Sequence, residues 1–290
     1  METSKVHFIT FYSQGPPHDD GLDLSKTENN VKQRVSPFVD TFKAYHCKDI
    51  SNDSDFSWSI TDWAKVDPIY KRPNDGWWSP VYNKYVDINK GCDNTGFYAW
   101  KAVCILKRFK EIPYGDIVYY HDGNFDREID FHWTKYPYYE GMENWKSLII
   151  NILNDIKSDI FIPWEQNSNL QPLRPFCRKH CFEKMAEFSD YYTKYDCLWA
   201  GLIVMRKTKL SEQFLNDVIT ALKDIELISN YPEDKDTSLQ WHTWDQPIWT
   251  IMARKYIKDG LLPKNWPKYH INSRAFTPNH IKQSSHTYNM

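Results

Sequence analysis

The chain has 290 residues, 41% of them hydrophobic, which is enough to bury a full core at the upper end of what one domain usually covers. Lys plus Arg number 36 against 38 for Asp plus Glu, with no long basic run, and this balance argues against nucleic acid as a partner. No run of about 18 apolar residues occurs, and the opening Met-Glu-Thr-Ser-Lys lacks the basic start and apolar stretch of a secretory signal, so a soluble cytoplasmic protein without a transmembrane segment is expected.

Val6 to Phe11 has the character of a buried strand, and the loop Ser13-Gln14-Gly15-Pro16-Pro17 ends it at its carboxyl side. A helix is predicted from Ser25, where Ser-Lys-Thr-Glu is a capping box, to about Val35, because Pro37 disfavours helix in the residue before it. Thr41 to His46 then gives a second strand, completing a strand-helix-strand unit. Between residues 50 and 95 no periodicity is sustained, which implies a functional loop or an insertion; Trp58, Trp63, Trp77 and Trp78 make it too apolar for disorder. Tyr98, Ala102, Ile105, Phe109 and Ile112 fall at alternating spacings of four and three, with lysine and arginine elsewhere on the wheel, and form an amphipathic helix that Pro113 ends. The chain passes from there into a buried strand, Ile117 to Tyr120.

Further on, helices are predicted over Ser147 to Ile156, residues 178–189 and Ser211 to Ile228, with a short strand at Ile160 to Ile162. Leu198 to Met205 is read as a buried strand interrupted by Ala200-Gly201, a place where either a ligand or another backbone approaches, or a bulge forms. Asp245-Gln246-Pro247 opens a helix reaching Gly260, with Asp245 as its N-cap. Six scattered cysteines suit reduced thiols, and Cys177-Arg-Lys-His-Cys181 has no second Cys/His pair at zinc spacing.

The change of character after Tyr120 carries the chemistry. Asp122 and Asn124 place a carboxylate and an amide oxygen two residues apart, past the carboxyl end of a buried strand, where open α/β sheets bind ligands; Gly123 between them lets a ligand approach the backbone. A polar turn after a core strand accounts for the same residues. Aromatic residues make up 16% of the chain, with 13 Trp and 19 Tyr, which suits carbohydrate stacking as well as a large aromatic core.

In order, these motifs resemble the glycosyltransferases of the GT-A fold. Val6 to Phe11 is similar to the first nucleotide-binding strand, Gly96-Phe97-Tyr98-Ala99-Trp100-Lys101 to a Gly-x-x-x-Trp-Lys element of capsule-type and viral members, and Asp122-Gly123-Asn124 to the metal-binding Asp-x-Asp. Ala200-Gly201 and Asp245-Gln246 are similar to elements of the group containing glycogenin and lipopolysaccharide galactosyltransferases. Two departures are visible: Asn124 replaces the second acid, and of the C-terminal His-x-x-Gly-x-x-Lys only His270 has a counterpart. The resemblance implies an α/β, Rossmann-like mixed sheet flanked by helices in one domain over residues 1–290, the nucleotide-sugar half being about 1–125 and the acceptor and catalytic half about 126–290. It further implies Thr10, Phe11, Tyr12, Trp100, Lys101, Ala200, Gly201 and Gln246 at a nucleotide-sugar donor, most simply a UDP-sugar, and Asp122, Asn124 and His270 on Mn2+ or Mg2+. Asp245 is the implied catalytic carboxylate, acting toward a glycan or lipid-linked acceptor, with stereochemical retention as one outcome. Two other classes remain: a sugar nucleotidyltransferase, although no Gly-rich phosphate loop follows the first strand, and a non-catalytic carbohydrate-binding protein, which Asn124 would suit.

Overall fold

Val6–Tyr12 (β1) and Ile117–His121 (β5) are buried at every position, the pattern of strands covered on both faces, and they lie side by side inside a five-stranded sheet. A computed structural model describes residues 4–12, 24–59, 76–79, 84–87, 98–122, 145–165, 172–228, 244–267, 269–271 and 281–283. In it β1 leads through helix α1 (Leu24–Val35) to β2 (Thr41–His46), which pairs parallel with β1 from His7↔Thr41 to Tyr12↔His46. The expected strand-helix-strand unit is thus present, and its helix starts at Leu24, one residue before Ser25.

On the other side of β1, β5 pairs parallel from Val6↔Ile117 to Ile9↔Tyr120. Leu202–Arg206 (β8) runs antiparallel to β5, and Ile160–Phe161 (β6) closes the edge antiparallel to β8. The order is β2-β1-β5-β8-β6, a mixed sheet in which four strands point one way. Their carboxyl ends, and the entry into β8, therefore share one edge. At the opposite edge the polar groups satisfy one another: Asp116 accepts from the Lys5 amide at 3.0 Å and pairs with His7 Nε2 at 2.9 Å, while Arg108 donates to Thr41 Oγ1 at 2.8 Å.

Helices flank the sheet. Trp100–Glu111 (α3) is the predicted amphipathic helix without its two end positions, since Tyr98, at φ 67°, and Ile112, in extended backbone, lie outside it; its first six residues are all buried. Lys209–Leu222 (α7) and Asp245–Lys258 (α9) pack against each other, and α7 also packs on α3. No helix among the described residues is long and apolar enough to cross a membrane. Cys104, Cys177, Cys181 and Cys197 are buried free thiols, as the scattered spacing suggested.

Several boundaries differ from the sequence reading, each for a local reason. α2 (Cys47–Ser51) runs into the start of the segment read as irregular, which also contains a hairpin of β3 (Gly76–Ser79) with β4 (Lys84–Asp87), elements too short to show a period. The helix read over residues 178–189 ends earlier, as α5 (Lys179–Met185), followed by the single turn α6 (Asp190–Thr193). The Ser211–Ile228 helix breaks after Leu222, and Asp224, whose Oδ1 accepts from the Glu226 amide at 3.0 Å, starts a separate turn, α8 (Ile225–Ile228). Trp164–Glu165 (β7), Tyr269–Ile271 (β9) and Ile281–Gln283 (β10) form a second sheet that no pattern announced, since its strands are two or three residues long.

Candidate active site

Lys101 is the second residue of α3 and is buried with the rest of that turn, yet it carries a charge that must be matched. Its Nζ lies 3.4 Å from Asp245 Oδ2 and 3.7 Å from Asp122 Oδ2, and 4.8 Å from the centroid of the Tyr98 ring. Asp122 leaves the carboxyl end of β5. Its amide donates to the Gly201 carbonyl at 2.9 Å, and the Tyr120 hydroxyl donates to its Oδ1 at 2.8 Å. Asp245, 2% exposed, begins α9, and its Oδ2 accepts from Trp249 Nε1 at 3.2 Å. One ammonium thus sits between two carboxylates at the edge where the parallel strands end, the position at which open α/β sheets take ligands.

Burial is the largest influence on each inner group, and the neighbours decide the balance. For Asp245 burial raises the pKa, Lys101 lowers it and Asp122 raises it, with the result at about 6. For Lys101 burial favours the neutral amine, but Asp122 and Asp245 outweigh it and hold the group above its ordinary value. Behind Asp122, burial pushes His121 down to about 4, so the ring is neutral at pH 7; its Nδ1–H donates to the Asp122 carbonyl at 2.6 Å.

The sequence reading of Asp245 as an N-cap is corrected here. The cap position is Trp244, with φ 53° and no side-chain capping bond, and Asp245 is the first helical residue. Its carboxylate turns inward to Lys101 and Trp249 instead of back to the helix amides. Helix capping therefore no longer explains this acid.

The residues expected at the donor divide into groups. Phe11 and Trp100 stack with centroids 4.9 Å apart, next to Lys101. Thr10 points to the other face of β1 by strand alternation, fully buried, and its Oγ1 has no hydrogen-bond partner among the described residues. Tyr12 is buried at the end of β1, its ring 6.2 Å from that of His46. Ala200 is buried, and Gln246 is half-buried beside Asp245, its carbonyl accepting from Thr250 Oγ1 at 2.7 Å. Gly201 lies in the turn before β8 and not inside a strand. A Cβ there would stand 2.6 Å from Trp199 Cε2, so the close neighbour that demands glycine is the chain's own indole, which meets the His121 ring edge-on at 5.6 Å. The Leu202 amide donates to the Trp199 carbonyl at 3.3 Å, closing the turn that precedes the strand, and pairing starts at Leu202 opposite His121, where β5 ends.

The expected metal ligands are reached only in part. Asn124 lies outside the described residues. His270 is in β9, paired with Trp164, which also bridges Leu198, so its backbone stands two pairing steps from the turn that holds Asp122. Asp122 itself suits a hard cation: its side chain is 26% exposed and Tyr120 occupies one of the roughly four lone-pair sites of a carboxylate. Among the described residues no three His, Cys, Asp or Glu side chains gather to hold an ion. At Cys177 to Cys181, His180 turns away to Glu226 at 3.3 Å while buried Arg178 faces Cys181 at 3.8 Å.

Tyr120, Trp249, Tyr98, Trp199 and Trp244 belong to this site and were not picked out from the sequence. Two carried a local signal: Tyr120 precedes Asp122 by two residues, the repeat of one strand face, and Trp249 follows Asp245 by four, the repeat of one helix face. Comparison of the chain with protein-family models, with curated proteins and with solved structures finds no match.

Proposed function

We propose that the chain is a glycosyltransferase of the GT-A type, moving a sugar from a nucleotide-sugar, expected to be a UDP-sugar, to a hydroxyl of a glycan or lipid-linked acceptor. The observation that carries this reading is the buried ammonium of Lys101 between Asp122 and Asp245, at the carboxyl edge of a mixed α/β sheet. Asp122 offers its exposed side to a divalent cation, Mn2+ or Mg2+, with Asn124 and His270 as its proposed partners. When bound, that cation supplies positive charge against the diphosphate leaving group.

Asp245 is the proposed catalytic carboxylate. An anomeric carbon losing its phosphate becomes oxocarbenium-like, and a carboxylate in a dry site stabilises that charge more than one in water does. Such a group must be ionised to act. Burial alone opposes ionisation, and Lys101 at 3.4 Å supplies the counter-charge. The same lysine leaves Asp245 close enough to neutral pH to gain or lose a proton during turnover.

The test is incubation of the protein with a panel of nucleotide-sugars, with and without Mn2+, reading nucleoside diphosphate release. Release from one donor class, stimulated by the metal, is the expected result. Pyrophosphate exchange would instead identify a nucleotidyltransferase, and binding without turnover a carbohydrate-binding protein. The anomeric configuration of the product, read by NMR, separates Asp245 as nucleophile (retention) from Asp245 as base (inversion).

A further inference from the structure

Two bulky residues that precede the charged turns of α3 and α9 share a backbone anomaly. Tyr98 has φ 67° and Trp244 has φ 53°, and they are two of the three non-glycine residues with positive φ among the described residues. Large L-side chains avoid this region, so the surroundings must hold them in it. The two rings contact each other, 5.4 Å between centroids and tilted by 47°. Tyr98 also meets Trp100 at 4.8 Å, and Trp100 stacks on Phe11 at 4.9 Å. Four rings in contact therefore run from the end of β1 to the entry of α9. The Lys101 ammonium lies 4.8 Å over the Tyr98 ring, and Lys101 and Asp245 stand on the two helices that the ring run joins.

We propose that Tyr98 and Trp244 are positioning residues that set the Lys101–Asp245 contact. A lysine stem has four rotatable bonds and a strongly hydrated head, so an ammonium beside water drifts from a partner it does not touch at full hydrogen-bond distance. At 3.4 Å from Asp245 and 5% exposed, the Lys101 head is confined, and the ring of Tyr98, braced by Trp244, forms part of the wall that confines it. The strained backbone is what aims both rings at this point, because in the ordinary helical or extended regions the side chains would leave along other directions.

Reductive methylation with formaldehyde and dimethylamine-borane, followed by peptide mass spectrometry, measures how far Lys101 is protected. Trp244→Gly removes the ring and fits the positive φ; Trp244→Phe keeps a ring. Buried Lys207, which donates to the Phe109 and Ile112 carbonyls away from these rings, is the internal control. We expect Lys101 to label about tenfold faster in Trp244→Gly, with Lys207 unchanged, and to stay at the parental rate in Trp244→Phe. Tyr98→Gly should reproduce the effect if Trp244→Gly does not fold. Parental labelling of Lys101 in the glycine variants, a rise in Lys207 labelling in step with it, or failure of both glycine variants to fold would each overturn the proposal, the last two by making the rings general structure. The consequence for turnover rests on the transfer reading: Trp244→Gly should lower kcat about tenfold with little change in KM, and Trp244→Phe should restore it. The labelling needs no donor, so a parent that turns over no nucleotide-sugar while its Lys101 is unmasked in Trp244→Gly sinks the transfer reading and leaves the positioning role standing.

Discussion

Replacing Lys101 by methionine keeps a buried stem of similar shape and removes its charge, so Asp245 loses a cation at 3.4 Å and Asp122 one at 3.7 Å. With an effective dielectric of about 20, each contact corresponds to an attraction of about 4–5 kcal/mol before the desolvation of the ammonium is subtracted. That full loss is not expected at neutral pH, because Asp245 can escape it by taking up a proton. Burial already raises its carboxyl to about 6 against the pull of Lys101, and neutralising such a group at pH 7 costs about 1.4 kcal/mol. A carboxyl raised from 3.8 to about 6 in the folded state contributes stability that is present below about pH 4 and lost as pH rises through about 6. Without Lys101 the folded-state value moves higher, and the loss continues beyond pH 6. The stability gap between parent and Lys101→Met should then be smallest near pH 5.5 and widen by about 1.4 kcal/mol per pH unit above about 6, until the variant's own pKa is passed. Urea unfolding followed by tryptophan fluorescence at about pH 5.5, 6.5, 7.5 and 8.5 measures the gap. A gap independent of pH would refute the reasoning, since Asp245 would then not owe its charge to Lys101.

Asp245→Asn preserves side-chain shape and removes the charge that faces buried Lys101, so melting below the parent is expected, with Asp122 at 3.7 Å left as the counter-charge, and sugar transfer by the folded variant should fall about 10²–10³-fold; a parental rate would remove this residue from the chemistry. Parental turnover should also fall as pH drops through about 6, where Asp245 gains its proton, and a pH–rate profile without that limb would contradict the assignment. Gly201→Ala puts a methyl group 2.6 Å from the Trp199 ring, so a loss of about 1–3 kcal/mol is expected in thermal unfolding, partly recovered by adding Trp199→Leu; a neutral single variant would show that the indole moves freely. Asp122→Ala, at a quarter-exposed position, should leave the fold intact and abolish Mn2+ stimulation of nucleoside diphosphate release, and persistence of that stimulation places the ion elsewhere.

The amino-acid pattern alone located β1, β2 and β5 as short strand-like runs bounded by turn residues, α3 and α7 by apolar residues repeating every three to four positions, and α9 by its opening Asp-Gln-Pro and closing glycine, each a signal contained in neighbouring residues. It also marked Lys101, Asp122 and Asp245 one at a time, at the start of a helix, the end of a strand and the start of another helix. It did not determine that they meet. Local rules score Asp245 against the amides of its own helix and return an N-cap; only the packing of α9 beside α3 offers it Lys101 instead, and only burial gives that pair its weight. Gly201 shows the same division, since glycine announces a close approach but not what approaches, and the tertiary structure supplies the Trp199 ring. The antiparallel insertion of β8 between β5 and β6, and the short strands β7, β9 and β10, were likewise decided by pairing across the chain. A strand of two or three residues has no period to detect, and its stability comes from partners whose distance in sequence leaves no trace in either segment.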